Sequence, residues 1–120
     1  MPAYNFQKQF VPMIEDGSKR NTIRRRRKHP TQAGQTLRLY MGMRTKGCRL
    51  IRDVVCVRIE PVVIYPALGR VVLDGKMLSL DETLRFALRD GFANHMDFFK
   101  FFEQYPPEVL EREMEVIYWR

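Results

Sequence analysis

The chain is poor in cysteine: Cys48 and Cys56 are the only two in 120 residues. That is too few for a disulfide scaffold and too few to ligate zinc without other donors, so both read as inert buried thiols of a reducing, cytoplasmic compartment. Histidine is as sparse. His29 and His95 stand alone, neither in a ligand-like cluster, so neither a metal site nor a cofactor is expected. No apolar run approaches the ~20 residues of a membrane span. The opening Met1-Pro2-Ala3-Tyr4-Asn5 lacks the basic-then-apolar order of a secretory signal. A membrane partner is therefore not expected. Internal repeats and low-complexity linkers are also missing, which leaves a single domain over residues 1–120.

What is present is globular. Hydrophobic residues make up 45% of the chain and aromatic residues 12%, enough for a domain of this size to bury roughly two thirds of its unfolded surface. The net charge is +7, and it is unevenly spread: residues 1–60 hold 14 basic and 4 acidic side chains, residues 61–120 hold 7 and 10. One half of the sequence can present a positive field while the other stays neutral or acidic. This asymmetry points to a polyanion, nucleic acid or a nucleotide, as partner. The oligomeric state is open.

The hydrophobic pattern predicts an α+β domain built on a small β-barrel or curled sheet. Tyr4–Phe6 is a short strand. Phe10, Met13 and Ile14 share a helical face, with Pro12 tolerated in a first turn and Gly17 placed as a C-cap. Asn21–Arg24 begins a strand. Gln35–Tyr40 alternates, with Leu37 and Leu39 on one face and Arg38 and Tyr40 on the other. Arg49–Ile64 is β-branched and too long for an ordinary strand, with a bend or bulge expected at Pro61. Asp74-Gly75 is a hairpin turn. Ser79 or Asp81 caps a helix that ends at Asp90-Gly91. Asn94 caps a second, which Tyr105-Pro106-Pro107 stops. Met114–Trp119 is a last strand. Phe98, Phe99, Phe101, Phe102 and Trp119 read as core.

The chemistry concentrates in residues 17–28. Seven of the ten residues from Lys19 to Lys28 are basic. Guanidinium forks match phosphate oxygens, which makes Arg20, Arg24, Arg25, Arg26, Arg27 and Lys28 candidates for nucleic-acid contact; the alternative is a solvated basic loop or a nuclear targeting signal. A second basic loop adds Arg44 and Lys46, and Arg38 and Tyr40 share a strand face on which Tyr40 can stack a base or pack under the adjacent loop. Lys19 and Thr22 are a sharper pair. An ammonium among cations loses proton affinity, and a neutral lysine can take the proton of a threonine hydroxyl and make it a nucleophile.

The segment Gly17-Ser18-Lys19-Arg20-Asn21-Thr22-Ile23-Arg24 resembles the signature Gly-x-Lys-x-x-(Thr or Glu)-x-Arg of the ASCH (activating signal cointegrator homology) family, as found in small bacterial and phage proteins. The resemblance extends to Gly34-Gln35-Thr36-Leu37-Arg38-Leu39, to Asp90-Gly91-Phe92 before an aromatic helix, and to the closing Glu115-Val116-Ile117-Tyr118-Trp119. It implies a PUA-like β-barrel with a helix near the N-terminus, a helical pair before the last strand and an RNA-binding cleft lined by the signature residues. One branch of the family is an amidohydrolase of N4-acetylcytidine that uses a Lys, a Thr and a Glu; another cuts RNA. By this resemblance Lys19 and Thr22 are catalytic, and Asp90 stands at or beside the Glu position, one methylene shorter. The readings it leaves are an N4-acetylcytidine amidohydrolase, a non-catalytic RNA-binding module and a ribonuclease.

Overall fold

A computed structural model describes all 120 residues. The first strand, β1, spans Ala3–Phe6. A 3-10 turn at Lys8–Phe10 leads into α1 (Val11–Asp16), where Pro12 occupies the first turn and owes no intrahelical hydrogen bond. Gly17 ends the helix at φ 83, a left-handed conformation that glycine adopts without a Cβ penalty. Next come β2 (Asn21–Arg25) and β3 (Thr36–Met41), the latter burying Leu37 and Leu39 as its alternation requires.

β4 (Arg49–Tyr65) is one strand of 17 residues that serves three partners in turn. Arg49–Val55 pair with β3, Cys56–Pro61 with β7 (Met114–Trp119), and Val62–Tyr65 with β5 (Arg70–Leu73). Its register shifts at Ile51, against β3, and again between Cys56 and Arg58, so the irregularities fall at Ile51 and Val57 and not at Pro61, which stays in register opposite Glu115. The extra residue at Val57 sits where β4 passes from one partner to the next, the place at which a bulge adds the needed twist. After β5, Asp74 (φ 50) and Gly75 (φ 82) make the two-residue turn with both φ positive that joins it to β6 (Lys76–Met77).

Three helices precede β7. Ser79 caps α2 (Leu80–Arg89) with a reciprocal bond to Glu82, and Asn94 caps α3 (His95–Phe102) through its side chain. α4 (Pro107–Arg112) was not expected. Pro107, read as a stop, instead opens a helix at the position where proline is tolerated. Cys56 is buried as foreseen, whereas Cys48 is exposed.

The seven strands form one mixed sheet, with β1 parallel to β3 and every other pair antiparallel. It does not close into a barrel: β1 and β2 are ends of the sheet and no backbone ladder joins them. Side chains cross that seam instead. Arg24 Nη2 donates to the Asn5 carbonyl at 2.6 Å, and Arg27 donates to the Ala3 carbonyl with its guanidinium 4.0 Å from the Tyr4 ring centre. The core holds 25 buried hydrophobic residues, among them Phe98 with Phe86, Phe92, Phe99 and Phe102 around it.

Candidate functional site

Lys19 follows the Gly17 turn, and its side chain turns inward at 3% exposure. Nζ donates to Asp90 twice, to the backbone carbonyl at 2.5 Å and to Oδ1 at 3.0 Å. The ammonium also lies 5.0 Å from the Phe10 ring centre, a favourable cation–π position. Asp90 is the C-cap of α2 as well as a wall of the site, so its helix-end role and its place opposite Lys19 coincide. Gly91 follows at φ 102, and a Cβ there would lie 2.8 Å from Phe10 Cδ1. Only glycine lets the chain leave α2 and swing Phe92 into the same wall.

Thr22 sits on β2 at 4% exposure, and its Oγ1 accepts from Arg24 Nε at 3.0 Å. Lys19, Thr22 and Asp90 all line one cavity of about 240 Å³. No hydrogen bond joins Lys19 to Thr22; the amine is occupied by Asp90 and the hydroxyl by Arg24. The walls are aromatic and amide: Phe6, Phe10, Phe92, Phe101, Phe102 and Tyr105, with Asn5, Gln7 and Gln104. Phe101 and Phe102 were read as core alone, and Tyr105 and Gln104 were not singled out. A half-buried aromatic face looks the same in sequence whether it meets other side chains or a hollow.

Burial pushes the Lys19 amine below the ordinary lysine range. Asp90 opposes that shift, and the Arg24 charge adds to it. Burial likewise raises the Asp90 carboxyl, against the pull of Lys19 and Arg24. Taking both groups out of water thus narrows the gap between the ion pair and its neutral form. The Gly17 turn offers no donors to a ligand. Gly17 N–H is spent on Ile14 O, Ser18 N–H on Asp16 Oδ1 and Lys19 N–H on Met13 O. The donor beside Thr22 is the Arg24 guanidinium.

The remaining basic residues divide. Arg24 and Arg27 are engaged at the β1–β2 seam. Arg25 pairs with Glu113 at 2.9 Å, and Arg38 with Asp53 at 3.3 Å. Arg26 is exposed, and its charge bears on Glu115. Arg20 is exposed beyond the cavity with Nε on the Gly17 carbonyl, and Lys28, Arg44 and Lys46 are exposed in their loops. Tyr40 is half-buried on β3 and lies outside the cavity. No family model, curated protein or solved structure matches the chain.

Proposed function

We propose that this chain is an ASCH domain whose PUA-like sheet is left open at the β1–β2 seam, that it takes a pyrimidine nucleoside, free or within RNA, into the cavity, and that it hydrolyses the amide of N4-acetylcytidine there. The observation that carries this reading is a buried lysine–aspartate pair and a threonine hydroxyl in one aromatic-walled cavity. Its volume of about 240 Å³ lies just under the ~300 Å³ of small drug-like pockets, a size that suits a base. Flat aromatic walls can stack such a base, and the Gln7 amide, with Asn5 Nδ2 and Gln104 Oε1, offers donors and acceptors for its edge; Asn5 Oδ1 already accepts from Met43 N–H and Gln104 Nε2 already donates to the Phe101 carbonyl.

In this reading the neutral Lys19 amine takes the Thr22 proton as Oγ1 attacks the acetyl carbonyl. The Arg24 guanidinium stabilises the negative charge that develops. The C–N4 bond breaks, the Lys19 ammonium returns its proton to N4, and cytidine leaves. Water, deprotonated by the same amine, then attacks the Thr22 ester; the ester C–O bond breaks, the ammonium returns its proton to Thr22 Oγ1, and acetate leaves. Asp90 holds the amine in place and sets its proton affinity.

Incubation with N4-acetylcytidine tests the proposal. Wild-type protein yields cytidine and acetate, and Thr22→Ala and Lys19→Met do not. No product from the wild type removes the hydrolase. A second reading, RNA binding without turnover, is favoured by the double hydrogen bond that commits Lys19 to Asp90. It predicts salt-sensitive RNA affinity, with the ligand recovered intact.

A further inference from the structure

The cavity has a neighbour on the other face of β2. Strand alternation sends Thr22 into the cavity and Asn21 to the opposite side, where Asn21 lines a separate hollow of about 320 Å³. The register sets Asn21 opposite Tyr118 and Tyr118 opposite Arg58, a row across β2, β7 and β4. Arg20 flanks the row from the start of β2, and Arg89 reaches it from the last turn of α2. The hollow thus gathers three guanidiniums around a carboxamide and a phenol.

The donors are available. Arg89 is exposed and enters no ion pair. Arg20 spends Nε on the Gly17 carbonyl, which leaves its Nη groups. Arg58 lies with its guanidinium carbon 3.8 Å from the Tyr118 ring centre, and its Nε meets Glu60 Oε1 at 3.5 Å. Stacking on the ring presets the direction of its outer N–H groups. No carboxylate lines the hollow itself. Asn21 forms part of the wall at 4% exposure; its Oδ1 is an acceptor, as a phosphate oxygen is, so the donors of the hollow are the guanidiniums.

We propose that the hollow of Arg20, Arg58 and Arg89 around Asn21 is a phosphate-binding subsite. Forked guanidiniums converging on one space match the several oxygens of a phosphate better than any neutral ligand. The phosphate can come from an RNA chain, in which case the subsite deepens the function proposed above and rests on it, or from a free oxyanion. The two hollows share their wall. Lys19 and Asp90 line the cavity, and their chain neighbours Arg20 and Arg89 line the hollow. An anion on the arginines therefore draws on the same two backbone segments that hold the Lys19–Asp90 contact.

Side-chain amide and guanidinium NMR signals, followed during titration with inorganic phosphate, test the subsite. The signals of Arg20, Arg58, Arg89 and Asn21 are expected to move together. Arg89→Gln weakens binding about tenfold, the scale of one charge-assisted contact, and Arg112→Gln, an equal charge loss on α4, changes it less than about twofold. Static signals at the four residues, or equal losses from the two variants, overturn the proposal. A short single-stranded RNA that moves the same signals and is displaced by phosphate identifies RNA as the source; RNA that leaves them still while phosphate moves them identifies a free oxyanion. Arginine signals that respond to phosphate while Lys19 and Thr22 ignore N4-acetylcytidine uphold the subsite and count against the nucleoside cavity.

Discussion

Lys19 and Asp90 meet across 71 residues of sequence as a buried ion pair, Nζ to Oδ1 at 3.0 Å. Desolvating two charges costs several kcal/mol, and the attraction between them offsets this only with good geometry and further hydrogen bonds. Here the Asp90 carbonyl supplies the further bond. A pair of this kind contributes little net stability over apolar residues of the same volume.

Breaking the pair from one side leaves a buried charge alone. Asp90→Asn or Lys19→Met is expected to cost about 3–5 kcal/mol in urea unfolding, and the double variant less than the sum of the two. Strict additivity would show that the two side chains do not interact.

The Gly91 bend is sterically closed to any side chain. Gly91→Ala combines a left-handed backbone (φ 102) with a Cβ 2.8 Å from Phe10 Cδ1, and is expected to cost roughly 2–4 kcal/mol. Gly34→Ala, at φ 92 with nothing within 4 Å, suffers the backbone term alone, about 1–2 kcal/mol. Equal melting temperatures for the two variants would refute the contact argument.

The Lys19 amine should titrate below the ordinary lysine range, because burial disfavours its charged form more than Asp90 favours it. Carbon NMR of labelled lysine side chains reads this directly. Arg24→Gln removes a cation that disfavours the ammonium, so the Lys19 midpoint, and the rise of N4-acetylcytidine hydrolysis with pH, should move to higher pH. A downward move contradicts the assigned electrostatics.

Tyr118 is held protonated up to about 12, chiefly by burial and by Glu60, with Arg58 opposing. The unfolded chain releases that proton near 10. The native state therefore keeps a proton that the unfolded state loses, and the resulting stabilisation, complete below pH 10, disappears between about pH 10 and 12. Tyr118→Phe should flatten that segment of the stability–pH curve. An unchanged slope would locate the alkaline transition elsewhere.

Much of the secondary structure was legible because local physics dictates it. Met114–Trp119 is a strand in both views, the Asp74-Gly75 turn forms its hairpin, and Ser79, Asn94 and Gly17 cap as their side chains or backbone freedom require. The α+β class followed from these elements. The bulge at Val57 did not, since it depends on which strands β4 must pair with, and neither did α4, because Pro106-Pro107 reads equally as a stop and as the first turn of a new helix. At the site, the spacing of Lys19 and Thr22 drew attention to them, and the resemblance added Asp90. The arginine hollow was invisible: nothing links residues 20, 58 and 89 until a register row and a helix end bring them together.

Strands β1 and β2, which both wall the cavity, are joined by single hydrogen bonds from Arg24 and Arg27 and not by a ladder. Both bonds are exposed to solvent, so an anion that reaches the seam competes for the same two guanidiniums and leaves the backbone ladders on either side untouched.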